Sequence, residues 1–401
     1  MEGAALPQLI TQGVALKFLT QEGDTMRFHV PTKIIFECGA ISQLKSIVEG
    51  ELKASRLLLV TDQGIINAGV ADQVISQLRN VYVFSDVEPN PQSTIIDKGA
   101  EMVRTISPDL VIGLGGGSSL DAAKAIALLA TNPGSIKEYE GKHKYTHPPL
   151  PVVAIPTTCG TGSEVTWVAV ITDTERKFKM SIKGPHMFPE IALVDPDVLV
   201  SLPQSLIAST GMDALTHALE AYTALPRTII TDMCALKALQ LIFESLEDAY
   251  NDIQNKTARE NLMLGSTVAG MAFGNSDVGA VHCIAETVGG LYDIPHGVAN
   301  SIFLPAVMEF NLPVVKDRYA QVARLVGIDE KDDDTAAQTL IEKVKSLSHS
   351  LNIPSFSSLD IDESKFPEIA QRSVQNNSNP SNPRKATEKD YITILTKMSQ
   401  S

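Results

Sequence analysis

The stretch "DLVIGLGGGSSLDAAKAIA", residues 109–127, decides the fold of the amino-terminal half. It opens as a short apolar run, crosses three consecutive glycines and continues with apolar residues at helical spacing. A near-continuous Leu/Ile/Val run is what a strand buried on both faces requires, and such strands belong to parallel sheets covered by helices. Its surroundings follow the same grammar. "RLLLVTD" (56–62), "NVYVFSDV" (80–87), "PVVAIPTT" (151–158) and "IALVDP" (191–196) are apolar runs bounded by Gly, Pro or Asp, and "MRFHVPTKIIF" (26–36) reads as the first strand. Helical patterns, "VADQVISQLRN" (70–80) and "STIIDKGAEMVRTI" (93–106), lie between them. This alternation predicts a largely parallel sheet built from βαβ units.

From about residue 201 the strand signals stop. "SLPQSLIASTGMDALTHALEAY" (201–222), "TDMCALKALQLIFESLEDAYN" (231–251), "ARENLMLGSTVAGMAF" (258–273) and "DTAAQTLIEKVKSLSHSL" (334–351) repeat apolar residues at the helical period. The expected organisation is an extension over residues 1–25, an α/β nucleotide-type domain over 26–200 and an all-helical domain over 201–401. "SVQNNSNPSNPRKATE" (373–388) is polar and reads as a loop before a last short helix. No internal repeat is evident.

The 401 residues carry 33 basic and 47 acidic side chains, a net charge of −14. That balance argues against nucleic-acid or anionic-membrane partners, which need a surplus of Lys and Arg. Cys38, Cys159, Cys234 and Cys283 are far apart, without CxxC spacing, so a reducing cytoplasm is the expected compartment. No uninterrupted apolar run reaches the ~18 residues of a membrane span, and the N-terminus does not read as a signal peptide.

The glycine turn is either a plain tight strand–helix connection or a site with a chemical use. Backbone N–H groups of Gly115, Gly116, Gly117 and Ser118 are exposed at a helix start, where fixed partial positive charge suits a pyrophosphate. Glycines permit a close approach that any Cβ would block. Ser119 is placed to cap the helix, with Asp121 in its first turn. The ordinary dinucleotide fingerprint puts an acid ~20 residues downstream to hold the ribose, and none ends a strand there. The acid available is upstream: Asp62, which ends "LLLVTD". It would accept from a ribose 2′-OH and repel a 2′-phosphate, favouring NAD over NADP; equally, it could be a turn Asp. In "VAIPTTCGTGSE" (153–164), Thr157 and Thr158 offer hydroxyls to a nucleotide, and Cys159 reads as a small buried thiol. "DVEPNP" (86–91) presents Asn90 at another strand end.

In the helical half, "GMDALTHALEAY" (211–222) places Asp213 and His217 four residues apart, on one helix face. They are either an ordinary polar pair or two ligands of a metal. "GAVHCIAETVGGLYDIPHGVANSIF" (279–303) adds His282 and His296. One carboxylate and three imidazoles suit Fe(II) or Zn(II) and leave a coordination position for a substrate oxygen. His29, His143, His147, His186 and His349 sit in polar settings and read as surface residues.

Four motifs in order, "GGGSSLDAAK", "PTTCGTGSE", "GMDALTHALEAY" and "YDIPHGVAN", resemble the iron-containing alcohol dehydrogenase family, with the likeness extending over about residues 26–400. The resemblance implies a dehydroquinate-synthase-like fold, Rossmann-like then helical, with NAD(P) on the first domain and a divalent metal on the second. It assigns the metal to Asp213, His217, His282 and His296, the pyrophosphate to Gly115–Ser118 and the ribose to Asp62. Thr157 and Thr158 would lie on the adenine side, and Lys179 and Asn90 near the cofactor. Many members carry a second histidine four residues after the ligand matching His282; here that residue is Glu286, which would relay a proton or orient a ligand. The activity implied is hydride transfer between NAD(H) and a small primary alcohol or aldehyde by a metal-dependent homodimer, with Fe(II) ahead of Zn(II). Glycerol-dehydrogenase-like or maleylacetate-reductase-like chemistry on the same fold, and a non-catalytic nucleotide-binding protein, are the alternatives.

Overall fold

The computed structural model describes residues 26–400, so the expectation for the 1–25 extension lies outside the described residues. The strands are β1 (Lys33–Phe36), β2 (Leu57–Asp62), β3 (Val81–Val87), β4 (Leu110–Gly115), β5 (Gly141–Lys142), β6 (Val152–Pro156), β7 (Val168–Asp173), β8 (Phe178–Lys183) and β9 (Ile191–Val194). Six of them form one sheet in the order β1-β9-β6-β4-β2-β3, every neighbouring pair parallel. The helices among them are α1 (Gln63–Asn67), α2 (Val70–Ile75), α3 (Ser93–Ile106) and α4 (Gly117–Thr131). β4 is buried along its whole length, as its apolar run requires. The first strand is shorter than its sequence suggests, and the helix expected over 70–80 ends at Ile75.

The order of strands places a site. From β2 the chain builds outward to β3, then returns to lay β4 on β2's other side, so the carboxyl ends of β2 and β4 flank a topological switch point. Open parallel sheets bind ligands in that crevice. Asp62 ends β2 and Gly115 ends β4.

A three-stranded sheet, β5-β8-β7, was not expected. β7 and β8 form an antiparallel hairpin with Val168 opposite Lys183 and Asp173 opposite Phe178. Asp173 fixes its turn by accepting from the backbone N–H of Glu175 (3.0 Å) and Nε of Arg176 (2.6 Å). β7 alternates buried and half-buried residues, the pattern of a strand with one covered face.

The second half is helical: α5 (Gln204–Thr223), α6 (Ile229–Asn251), α7 (Lys256–Ser276), α8 (Ala280–Tyr292), α9 (His296–Leu325), α10 (Asp333–Ser350), α11 (Phe366–Gln375) and α12 (Glu388–Ser399). α9 contains Pro305 and Pro313, whose missing N–H groups leave gaps in its ladder, and it leaves helical geometry at Val315. By length and mean hydropathy α9 could cross a membrane, although no single apolar run is that long; 56% of its most apolar window is buried within the protein. One apolar cluster joins the two halves, running from Leu57, Leu114 and Val153 to Leu215, Leu239, Ile284 and Phe303.

Candidate active site

Gly115 has φ +146°, and a Cβ there would lie 2.6 Å from Ser119 Oγ and 3.0 Å from Asp62 Oδ2. The cap of α4 is Gly116, with no side-chain bond. Ser119, expected to cap, lies inside the first turn and donates to Asp62 Oδ2 at 2.9 Å. Asp62 also caps α1 by accepting from the Ile65 N–H at 3.0 Å, so the strand-end acid is pinned beside the glycine turn. A Cβ on Gly117 would meet Thr161 at 2.5 Å, and one on Gly116 would meet Thr158 at 3.2 Å. Thr157 donates its N–H to the Gly115 carbonyl at 2.9 Å, while its buried hydroxyl has no partner. The turn is thus held by side chains behind it and presents backbone in front.

Asp121 braces this region from beneath, accepting from Ser163 Oγ (2.5 Å), the Val170 N–H (2.9 Å) and Lys124 Nζ (3.1 Å). Lys124 is fully buried, which lowers its pKa against the pull of Asp121. Cys159 is buried with its thiol pushed up to about 11 by desolvation, an inert packing residue as expected.

Three helices bring the second group together. Asp213 and His217 lie one turn apart on α5, His282 lies in the first turn of α8, and His296 opens α9. One ligand atom from each falls within 4.8 Å of all the others. His217 Nδ1 is 3.9 Å from Asp213 Oδ2, and His296 Nε2 is 3.7 Å from Asp213 Oδ1. Buried His217 Nδ1 has no hydrogen-bond partner. Converging imidazole nitrogens and a carboxylate, without thiolate, are a donor set that fits a borderline divalent ion.

His282 and His217 are oriented by neighbours outside the cluster. Glu220 Oε2 bonds His282 Nδ1 at 2.6 Å and Glu220 Oε1 accepts the Val281 N–H at 2.8 Å, leaving His282 Nε2 to face the cluster. His217 stacks on Phe273 with centroids 4.2 Å apart. Asn300 Nδ2 donates to Asp213 Oδ1 at 2.6 Å and lies 3.1 Å from both His282 Nε2 and His296 Nε2. Burial pushes the His217 pKa down to about 4 and that of His296 well below normal, keeping both neutral and able to donate a lone pair. Burial opposes the charge on Asp213, but the three imidazoles and Asn300 outweigh it and hold its carboxyl below the usual range. For His282 burial is outweighed by the Glu220 bond, which raises its pKa.

Glu220 and Asn300 escaped the sequence reading, although the signal was present. Glu220 lies seven residues after Asp213, on the same helix face, and Asn300 lies four after His296.

A cavity of about 490 Å³ is lined both by Gly117 and Ser118 of the glycine turn and by His217, His282, His296 and Glu286, with Asn90 and Lys179 also on its wall. Asp62, Gly115, Gly116, Thr157, Thr158 and Asp213 do not line it. The first five lie at or beside the glycine turn, and Asp213 lies among the imidazoles. Lys179 Nζ donates to Asn90 Oδ1 at 2.8 Å, and Asn90 Nδ2 donates to Asp293 Oδ1 at 2.9 Å, so a strand-end loop and the segment before His296 are tied across the cleft. Glu286 is half-buried and accepts from Asn376 Nδ2 at 2.6 Å.

Comparison with known proteins agrees with this geometry. Residues 31–196 match the family model described as iron-containing alcohol dehydrogenase, and 207–399 match the C-terminal model of the Fe-containing alcohol dehydrogenase family. The NAD-dependent methanol dehydrogenase of Bacillus methanolicus is 36% identical over 375 residues, covering 92% of this chain and 98% of that protein. The 1,3-propanediol dehydrogenase of Citrobacter freundii is 39% identical over 381 residues, covering 92% and 97%. A crystal structure of 1,3-propanediol oxidoreductase superposes with a TM-score of 0.90 at 37% identity, over 94% of this chain and all of the other. With a four-ligand cage and a glycine turn opening into one cleft, the chain belongs to the iron-containing alcohol dehydrogenase family.

Proposed function

We propose that the protein catalyses reversible hydride transfer between NAD(H) and a small primary alcohol or aldehyde, with Asp213, His217, His282 and His296 holding Fe(II) or, as second choice, Zn(II). The observation that carries this reading is a single cavity lined by both the glycine turn and the imidazole cage. The net reaction converts alcohol and NAD to aldehyde, NADH and a proton. A divalent ion in the cage supplies Lewis acidity, which lowers the pKa of an alcohol and polarises a carbonyl.

The remaining work falls to the chain itself. Gly115, Gly116, Gly117 and Ser118 receive the pyrophosphate on backbone N–H groups. Asp62 holds the adenosine ribose and, being a carboxylate, selects against a 2′-phosphate. Thr157 and Thr158 support the nucleotide from behind the turn. Lys179 and Asn90, already bonded to each other, position the nicotinamide end. Glu286, one turn beyond His282 and held by Asn376, accepts the alcohol proton. The methanol and propanediol dehydrogenases to which the chain is similar support a short alcohol as substrate.

Cytoplasmic residence and a homodimer belong to the same reading. All four cysteines are free, and β1 ends the large sheet with one edge unpaired among the described strands, an edge suited to a second copy.

The test is NADH oxidation by iron-loaded protein with a panel of short aldehydes, repeated with NADPH. Turnover with a marked preference for NADH is expected. NADPH preference would remove Asp62 from the ribose, and no turnover with any aldehyde would favour a non-catalytic nucleotide-binding protein.

A further inference from the structure

We propose that Lys142 and Lys183 form an anion-binding subsite at the mouth of the catalytic cleft, which receives a negatively charged terminal group on the alcohol or aldehyde substrate. The inference rests on the reading of this cavity as the catalytic cleft and names the class of substrate it takes.

The two lysines are held side by side by the fold. β5 pairs with β8 in a register that sets Lys142 against Lys183, and the His143 N–H donates to the Lys183 carbonyl at 2.8 Å. Tyr145 then packs on Gly184, its hydroxyl 2.2 Å from where a Cβ would be, and accepts the His186 N–H at 3.0 Å. The segment carrying Lys142 is therefore fastened to the strand carrying Lys183. Both side chains line the cavity.

Like charges on neighbouring strands repel, and folded proteins usually interpose a carboxylate. Among the described residues neither lysine has one. The acids that line the cavity are engaged elsewhere: Asp121 by Ser163 and Lys124, Asp277 by Ser378 and Ser381, and Glu286 by Asn376. Among the described residues of this chain of net charge −14, two adjacent cations thus lack an acidic partner at the catalytic mouth. Trp167, the single tryptophan of the sequence, also lines the cavity; Lys142 Nζ lies 5.9 Å from its ring centroid, within cation–π reach.

The strand also sets a distance. Lys179, Ser181 and Lys183 alternate along β8 and all line the cavity. Lys179 sits at the reaction end beside Asn90, and Lys183 is four residues further, ~13 Å along an extended strand. Flexible lysine side chains shorten that span. The arrangement fits a neutral carbinol at the cage joined by a few carbons to a carboxylate, sulfonate or phosphate at the mouth. Glu286, near the cage, discourages the reverse orientation.

The experiment pairs Lys142→Met/Lys183→Met protein with wild type, using a short ω-carboxylate aldehyde and its methyl ester, each with NADH. Wild type is expected to favour the carboxylate. The double variant should lose about tenfold or more in kcat/KM for the carboxylate, mainly through KM, as for lost charge-assisted bonds. Ester turnover and the KM for NADH should stay within about twofold, which also shows that the variant folds. Equal treatment of carboxylate and ester by wild type would overturn the subsite while leaving the catalytic reading intact. A raised KM for NADH with the aldehyde pair unaffected would assign the lysines to cofactor phosphates and overturn it too. Turnover of neither aldehyde would overturn the catalytic reading and the subsite with it.

Discussion

The glycine turn consists of backbone from one continuous stretch, residues 115–119, with Asp62 and Thr158 behind it. The cage consists of side chains alone, drawn from α5, α8 and α9. The two sites therefore fail in opposite ways. A backbone site is damaged by adding a Cβ, because what it offers is room and exposed N–H groups. A side-chain site is damaged by taking atoms away, because every ligand removed strands buried polar partners. The two should also fail independently, since each is braced by its own residues.

His282→Ala is expected to have the largest effect. It removes one ligand and leaves the buried Glu220 carboxylate without its imidazole, so metal retention should collapse and kcat/KM fall by about 10³ or more. NADH binding, followed by fluorescence titration, should survive. Loss of NADH binding with full metal retention would break the separation of the two sites.

Gly115→Ala is the reverse experiment. At φ +146°, with Ser119 Oγ 2.6 Å from the added carbon, the turn must deform at a cost of about 1–3 kcal/mol. NADH affinity should drop ~10–100-fold on the same energetic scale, with metal content unchanged.

Glu220→Gln sharpens the comparison by touching the cage from outside. Losing the carboxylate that orients His282 should weaken metal affinity by ~10-fold or more, measured by competition with a chelator. NADH affinity should not move. Glu286→Gln should have the smallest effect on binding, preserving metal and NADH, while kcat falls by about 10²-fold. A loss of metal in that variant would make Glu286 an orienting residue instead of a proton acceptor.

The same contrast explains what could be read in the sequence. β2, β4, β6 and β9 were legible because strands buried on both faces are apolar throughout, and α3 because its one apolar face repeats cleanly over residues 93–106. The β7–β8 hairpin was not, since one of its faces lines a cleft and carries Thr172, Lys179, Ser181 and Lys183; polar residues at alternate positions dilute the apolar signal. The glycine turn could be read because its parts are contiguous, but Ser119 was given the wrong job, as its bond to Asp62 spans 57 residues. Asp213 and His217 stood out as an i,i+4 pair. Spacing alone could not show that His282 and His296 join them, because convergence depends on how three helices pack, and the family resemblance supplied that link. The pairing of Lys142 with Lys183 depends on β5 lying beside β8, which no local pattern announces.

The most direct test of the account is the metal content of protein purified without oxygen, paired with aldehyde-dependent NADH oxidation before and after chelation. One iron or zinc per chain, with activity lost on chelation and restored by a single kind of ion, is the predicted result. A metal-free protein that turns over at an undiminished rate would contradict it, and Asp213 and His217 would then be an ordinary pair of polar residues on a buried helix.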